Sequence, residues 1–558
     1  MTNRKLFLHY LMLLGAIALG AILRFWHLDL KPLWLDEVIT ALFSLGRSYN
    51  DVPLEVVFSL DRLEQIFTFK PAATCPKIAH TLATQSTHPP LFFCLMHGWV
   101  GTPLVGVLAH GLAWTVRSLP ALFGVSAIAA VYLLNTRAFS PAAGLWGAAV
   151  MAVSPYAIYL SQEARHYTLP LLLITLALLG LIQIQQDLFQ RQQLRPSVWF
   201  AWAIVNSIGL YVHYFFILAF IAQLGTLLGL MYWRGAGILP ANLIRNCTMS
   251  ALLAVISVVA SFIPWLPLML GHFNRSETSW LPQPHNIAPL YQTLASWILM
   301  VIALPVENQP LWIAVPSGLL MVLFGTSVGW YVFRGLRQLW HSLPTQLATL
   351  TLLSFTLLVL LQFFAIVYLL KKDITIVPRY NFVYYPSICA LVGASLVKAK
   401  RQKEPRQNFY FLLFTVSFLS CVLVVSNLVF QKPFEPQQVA QNMNQEPSVP
   451  LMVIVGYKDY QDVALGLSFA LALEKVRSES TSEFAFFKRS PGYESVWQKI
   501  SQLPPPVASK LNLWIVAPEL TRRDYPPQLA LSSKTTCTID LPQHYRIGVP
   551  YQLYRCKR

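Results

Sequence analysis

The chain is a succession of apolar runs, with most of its charge confined to the joints between them. Runs over 6–24, 118–136, 142–160, 167–185, 198–215, 216–233, 248–270, 311–333, 345–370, 382–397 and 409–429 approach membrane-crossing length, which is about 20 apolar residues in a helix. A backbone polar group in hydrocarbon finds no water, so each run must satisfy its own N–H and C=O groups by coiling. The fold class that follows is a polytopic α-helical membrane protein. Composition agrees: only 12% of the residues are charged, half of the roughly 25% of a soluble domain. The net charge of +17 would suit nucleic acid, but no basic stripe with interleaved aromatics accompanies it. Membrane lipid, and no nucleic acid, is the expected partner.

Two further apolar stretches, 89–112 and 287–304, are shorter or interrupted by Pro, Gly and His. Whether they cross sets the topology. The connector residues Arg137, Arg191, Arg195, Arg234, Arg245, Arg334, Arg337 and the run "KAKRQKEPR" (398–406) all share a side with Arg4 and Lys5 only if neither stretch crosses. The positive-inside rule makes that side cytoplasmic. The expectation is about 11 transmembrane helices (13 if both stretches crossed), with the N-terminus cytoplasmic. The first run has the basic start of a signal peptide but lacks a small-residue cleavage site, so it is expected as an uncleaved first helix of an inner-membrane protein.

This topology splits the chain into a membrane domain, 1–428, and a soluble domain, 429–558, on the periplasmic or extracellular side. Of the 24 acidic residues, 13 fall in the first part and 11 in the second. In the tail, apolar runs such as "PLMVIVGY" (450–457) and "KLNLWIVAPE" (510–519) alternate with a helical stretch at 460–476, which predicts a small α/β domain. Residues 25–117 become one long external loop. "SQEARHY" (161–167), "YVHY" (211–214), "GHFNRSETSW" (271–280) and "KKDITIVPRY" (371–380) face the same compartment. Of the acids before residue 429, only Asp187 and Glu404 lie in cytoplasmic connectors. The polar chemistry is thus gathered on the outer face, whereas a transporter is expected to place ionisable groups within its spans.

Four motifs lie on that face in a set order. Paired acids in "LWLDEVITALF" (33–43) come first, then "HPPL" (88–91), "SPYAIYLSQEARHYTL" (154–169) and "PRY" (378–380). This pattern resembles the C-type membrane glycosyltransferases, particularly the superfamily of the protein O-mannosyltransferases and the lipid A aminoarabinose transferase. The resemblance covers residues 1–400. It implies transfer of a sugar, with inversion, from a polyprenyl-phosphate-linked donor to an acceptor at the external face. The sugar and the acceptor, whether lipid, glycan or protein, leave no mark in the sequence. Two other readings stay open: a flippase or transporter of lipid-linked sugars, and a catalytically inactive chain of the same fold.

Such a transfer needs a base for the acceptor hydroxyl and a counter-charge for the departing phosphate. The resemblance puts an acidic base in the first loop, at Asp36 or its neighbour Glu37. The alternative for Asp36 is a helix N-cap. His88 precedes a double proline, which biases it to an extended backbone ahead of a helix start. Glu163 and Arg165 have two readings, acceptor and phosphate binding or a structural ion pair. Arg379 suits phosphate because a guanidinium forks onto two oxygens; Lys371 and Lys372 suit anionic lipid head groups. Tyr167, Tyr380 and His213 complete the expected substrate-binding set. No His/Cys/Asp spacing supports a metal. The zinc-binding acid of one relative falls at Thr87, yet families of this fold differ in metal use, so a divalent ion is left open as a cofactor. Cys75/Cys94 and Cys537/Cys556 form two external pairs able to make disulfides. For the tail domain, acceptor binding and a structural cover are the alternatives.

Overall fold

Each expected run is helical in the computed structural model, which describes residues 3–557 except 109, 236, 274, 276–279, 400–406, 478–481, 507 and 533–534. Glu404 and most of the basic run 398–406 lie outside the described residues. Among those described, eight helices are long and apolar enough to cross a membrane. The run at 142–160 is two helices, Pro141–Ala152 and Pro155–Ser161, bent by 61°. Pro196–Leu210 and Tyr385–Ala399 have 15 residues each. Eleven is reached only by counting the bent pair and both short helices. Leu91–Val100, Pro103–Leu108 and Ala288–Leu299 have 10, 6 and 12 residues, too few for a core about 30 Å thick.

The chain divides into two compact units. The first, residues 1–28, 86–92 and 117–430, holds the helical bundle. Its bent segment follows from one proline. In an unbroken helix the C=O of Met151 would accept from the N–H four residues on, but that residue is Pro155 and has none. Arg24, fully buried in the first helix, fills the gap: Nη2 donates to Met151 C=O at 2.9 Å and Nη1 to Ala152 C=O at 3.2 Å. A cation at a helix C-terminus also complements its dipole. Beyond the break, Ser154 caps the next helix by accepting from Ala157 N–H.

Gly124 makes room for this arrangement, since a Cβ there would overlap Ser161 Oγ and lie 2.9 Å from Arg24 Nε. Gly124→Ala is therefore expected to destabilise the bundle by about 1–3 kcal/mol through overpacking. Gly15→Ala, on a helix position with nothing within 4 Å, should be neutral or stabilising by up to about 1 kcal/mol. Thermal unfolding in detergent separates the two. Equal melting points would show that Gly124 is not space-limited.

The second unit comprises residues 29–85, 93–116 and 431–558, so most of the first loop groups with the tail. A seven-stranded sheet runs through it: β1 (Val57–Ser59), β2 (Leu451–Tyr457), β3 (Ser482–Lys488), β4 (Lys510–Val516), β5 (Gln528–Ala530), β6 (Thr536–Ile547) and β7 (Val549–Lys557), in the order β1-β3-β2-β4-β7-β6-β5. Strands β3, β2 and β4 are parallel and the other pairings antiparallel. The expected α/β domain is present. Both disulfides form, Cys75–Cys94 and, across β6 and β7, Cys537–Cys556.

Candidate active site

Helix Pro155–Ser161 leads into residues 162–167, and all six are buried. Charged side chains are seldom buried unless paired, so Glu163, Arg165 and His166 mark a built site. Gln162 holds the segment by donating its Nε2–H to the Trp26 C=O at 2.7 Å. Arg165 reaches His88: its Nη2 lies 3.0 Å from His88 Nε2. A guanidinium can only donate, so Nε2 accepts and the neutral ring carries its proton on Nδ1. That proton is donated to Ser86 Oγ at 2.8 Å. The helix Leu91–Val100 begins directly after the double proline, as its backbone limits require.

His88, His166 and His213 lie in a row, with ring centroids 5.1 Å and then 4.7 Å apart. The Phe215 backbone N–H donates to His213 Nδ1 at 2.9 Å, leaving Nε2 as the protonated nitrogen of that neutral ring. Tyr167 sits at the centre. The guanidinium carbons of Arg165 and Arg379 are 5.9 and 5.8 Å from its ring centroid, within cation–π range. The turn Pro378–Val383 carries Arg379 and is fixed by Tyr156 Oη, which donates to the Arg379 C=O at 3.1 Å. Tyr380 packs on Phe215, and Phe382 lies against both Tyr167 and His213.

Burial, followed by the charge of Arg165, holds His88 well below the usual histidine pKa. Burial and then His213 and Arg165 do the same to His166. A histidine with a depressed folded-state pKa binds fewer protons folded than unfolded. Its stabilising contribution is intact above the unfolded value of about 6.5 and is lost as pH falls below it. The melting temperature in detergent is therefore expected to drop between pH 7 and pH 5, and His88→Gln should flatten that slope. An unchanged slope would show that His88 does not titrate on unfolding.

The six expected residues His88, Glu163, Arg165, Tyr167, Arg379 and Tyr380 belong to the first unit, as does His213. All but Glu163 join the ring and guanidinium contacts above; Glu163 is buried two residues from Arg165. Two histidines were not among the expected site residues. His166 was legible as the neighbour of Arg165, and His272, whose Nδ1 lies 2.8 Å from Tyr214 Oη, as a polar residue ending an apolar run. Asp36 and Glu37 belong to the second unit, in the first turn of helix Leu35–Ser44. The capping role falls to Glu37, whose carboxylate accepts from Trp34 N–H at 3.4 Å, and not to Asp36, which is half-buried. Lys371 is exposed. Among the described residues, no three His, Cys, Asp or Glu side chains are placed to hold one metal ion.

No protein-family model and no curated protein matches the chain. Solved structures do. ArnT from Cupriavidus metallidurans bound to undecaprenyl phosphate superposes with a TM-score of 0.52 at 12% identity, covering 97% of both chains. Its apo form gives 0.54 at 11% identity, with the same coverage. An oligosaccharyltransferase from Archaeoglobus fulgidus, in complex with Zn and sulfate, gives 0.46 at 14% identity, covering 83% of this chain and 61% of that one. The chain thus shares the fold of the two ArnT structures, and its eight long apolar helices are those of a multi-pass membrane protein.

Proposed function

We propose that this chain is an inverting glycosyltransferase that moves a sugar from a polyprenyl-phosphate carrier to an acceptor at the external face of the membrane. The observation that carries the reading is the pair of guanidiniums, Arg165 and Arg379, on the single ring of Tyr167, beside histidines held neutral. Two forked cations suit the oxygens of a phosphate leaving group. The match to a fold whose solved example holds undecaprenyl phosphate supports the same donor class.

In this mechanism Asp36 takes the proton of the acceptor hydroxyl as that oxygen bonds to the anomeric carbon. The bond from that carbon to the phosphate oxygen breaks on the opposite side, and its electron pair leaves with the polyprenyl phosphate. Arg165 and Arg379 stabilise the growing charge. Glu163 and His88 orient the donor phosphate end or the acceptor. Two disulfides in the second unit support an oxidising compartment for it, and hence a cytoplasmic N-terminus.

The test is transfer by purified protein in detergent, from radiolabelled undecaprenyl-phosphate-linked sugars to a membrane extract of the source organism. Label entering an acceptor establishes the class and names the substrate. Movement of the labelled lipid across a reconstituted bilayer, without transfer, would make it a flippase.

A further inference from the structure

We propose that the α/β unit is a positioning device for helix Leu35–Ser44, which it holds through a seam formed by residues 49–60. This rests on Asp36 being the base. The seam lies wholly within the second unit. Helix Leu35–Ser44 packs directly on helix Tyr460–Val476. Immediately after it, Tyr49 stacks on Tyr460, with centroids 4.3 Å apart and planes 1° from parallel. The loop then adds strand β1 to the edge of the sheet. Val57, Phe58 and Ser59 pair antiparallel with Ala485, Phe484 and Glu483, and Glu55 N–H donates to Phe486 C=O at 2.9 Å. Strand addition at an edge gives register as well as affinity, because alternate residues fall on opposite faces.

Glu55 is the pin. Its carboxylate accepts from Lys488 N–H at 2.8 Å and from Tyr457 Oη at 2.9 Å, and it pairs with Lys499, 444 residues away in sequence. Its backbone has φ +65°, a left-handed conformation that residues with a side chain seldom adopt. Such a conformation persists where the surroundings over-determine it. A domain that only bound an acceptor would need no strand donated by the loop that bears Asp36. One that sets the position of Asp36 does.

Hydrogen–deuterium exchange on the full-length protein in detergent reads the seam directly. Glu55→Ala is expected to speed exchange in residues 35–44 by about tenfold or more through local opening, while β2 and β4 stay protected. Glu55→Gln, whose amide oxygen still accepts, should recover most of the protection. Unchanged exchange in 35–44 overturns the proposal. So does a loss of protection spread over the whole unit, which would make Glu55 a general stabiliser. In transfer assays with undecaprenyl-phosphate-linked sugar, Glu55→Ala should lower kcat about 10- to 100-fold with donor KM unchanged. Adding Asp36→Asn should then cost little more, since the two act through one group. Fully multiplicative losses overturn the positioning role. Asp36→Asn without effect by itself sinks the base assignment instead, and leaves the exchange result standing.

Discussion

Asp36→Asn is expected to lower kcat for sugar transfer by about 10²–10⁴-fold, the range that a positioned general base supplies. Asparagine keeps the size and the hydrogen-bonding edge of aspartate but cannot take a proton at neutral pH. Undecaprenyl phosphate should bind the variant as it binds the wild type. The neighbouring acid provides the control. Glu37 is spent on the N-terminus of its helix, where it accepts from Trp34 N–H, so Glu37→Gln retains an acceptor and should lose far less rate. The helix cap and the half-buried carboxylate beside it thus make opposite predictions for two adjacent residues. Transfer undiminished in Asp36→Asn, or a larger loss in Glu37→Gln, would move the base elsewhere.

Arg379→Ala should weaken undecaprenyl phosphate binding by about 2–4 kcal/mol, roughly 30- to 1,000-fold, as removal of one partner from a hydrogen-bonded charge pair does. Arg379 lies on the Tyr167 ring with Arg165, so its loss removes one of two forks from the same place. Arg379→Lys should restore only part of the affinity, because an ammonium is a point charge that cannot bridge two oxygens. Lys371→Ala, at an exposed position, should cost no more than the roughly 1 kcal/mol of a lipid-facing cation. Titration with undecaprenyl phosphate in detergent measures all three. Equal effects from Arg379→Ala and Lys371→Ala would reduce Arg379 to a head-group contact.

The membrane helices were legible because hydrocarbon demands apolar runs, and runs of that length have few other uses. The tail strands were legible for a related reason: "LMVIVGY" and "KLNLWIV" are buried almost throughout and carry the β-branched residues of an inner sheet. Arg165 and Arg379 were singled out in the sequence by their chemistry, and the structure brings both to the ring of Tyr167 although 214 positions separate them. What escaped depended on distant partners. The three residues of β1 include Val57 and Phe58, which suit a strand, but the run is too short to be read as one without the edge that β3 offers. The break at Ser154–Pro155 was read through as one span, since Pro155 also fits the first turn of a new helix. Its stability depends on Arg24, a residue that in sequence only marks the end of the first apolar run. The segments 29–85 and 431–558 of the second unit share no pattern by which composition could join them; backbone pairing and the Glu55 contacts do so.

That interleaving also sets an order in time. The second unit needs residues from both ends of the chain, and the last of them leaves the ribosome roughly 440 residues after Val116, about 20–90 seconds later at ordinary synthesis rates. Throughout that interval the loop bearing Asp36 lacks the sheet that completes it, while the bundle between the two parts is being inserted. The second unit is therefore completed only after the helices between its parts have been made, and a ribosome that stalls late leaves the loop bearing Asp36 without its sheet.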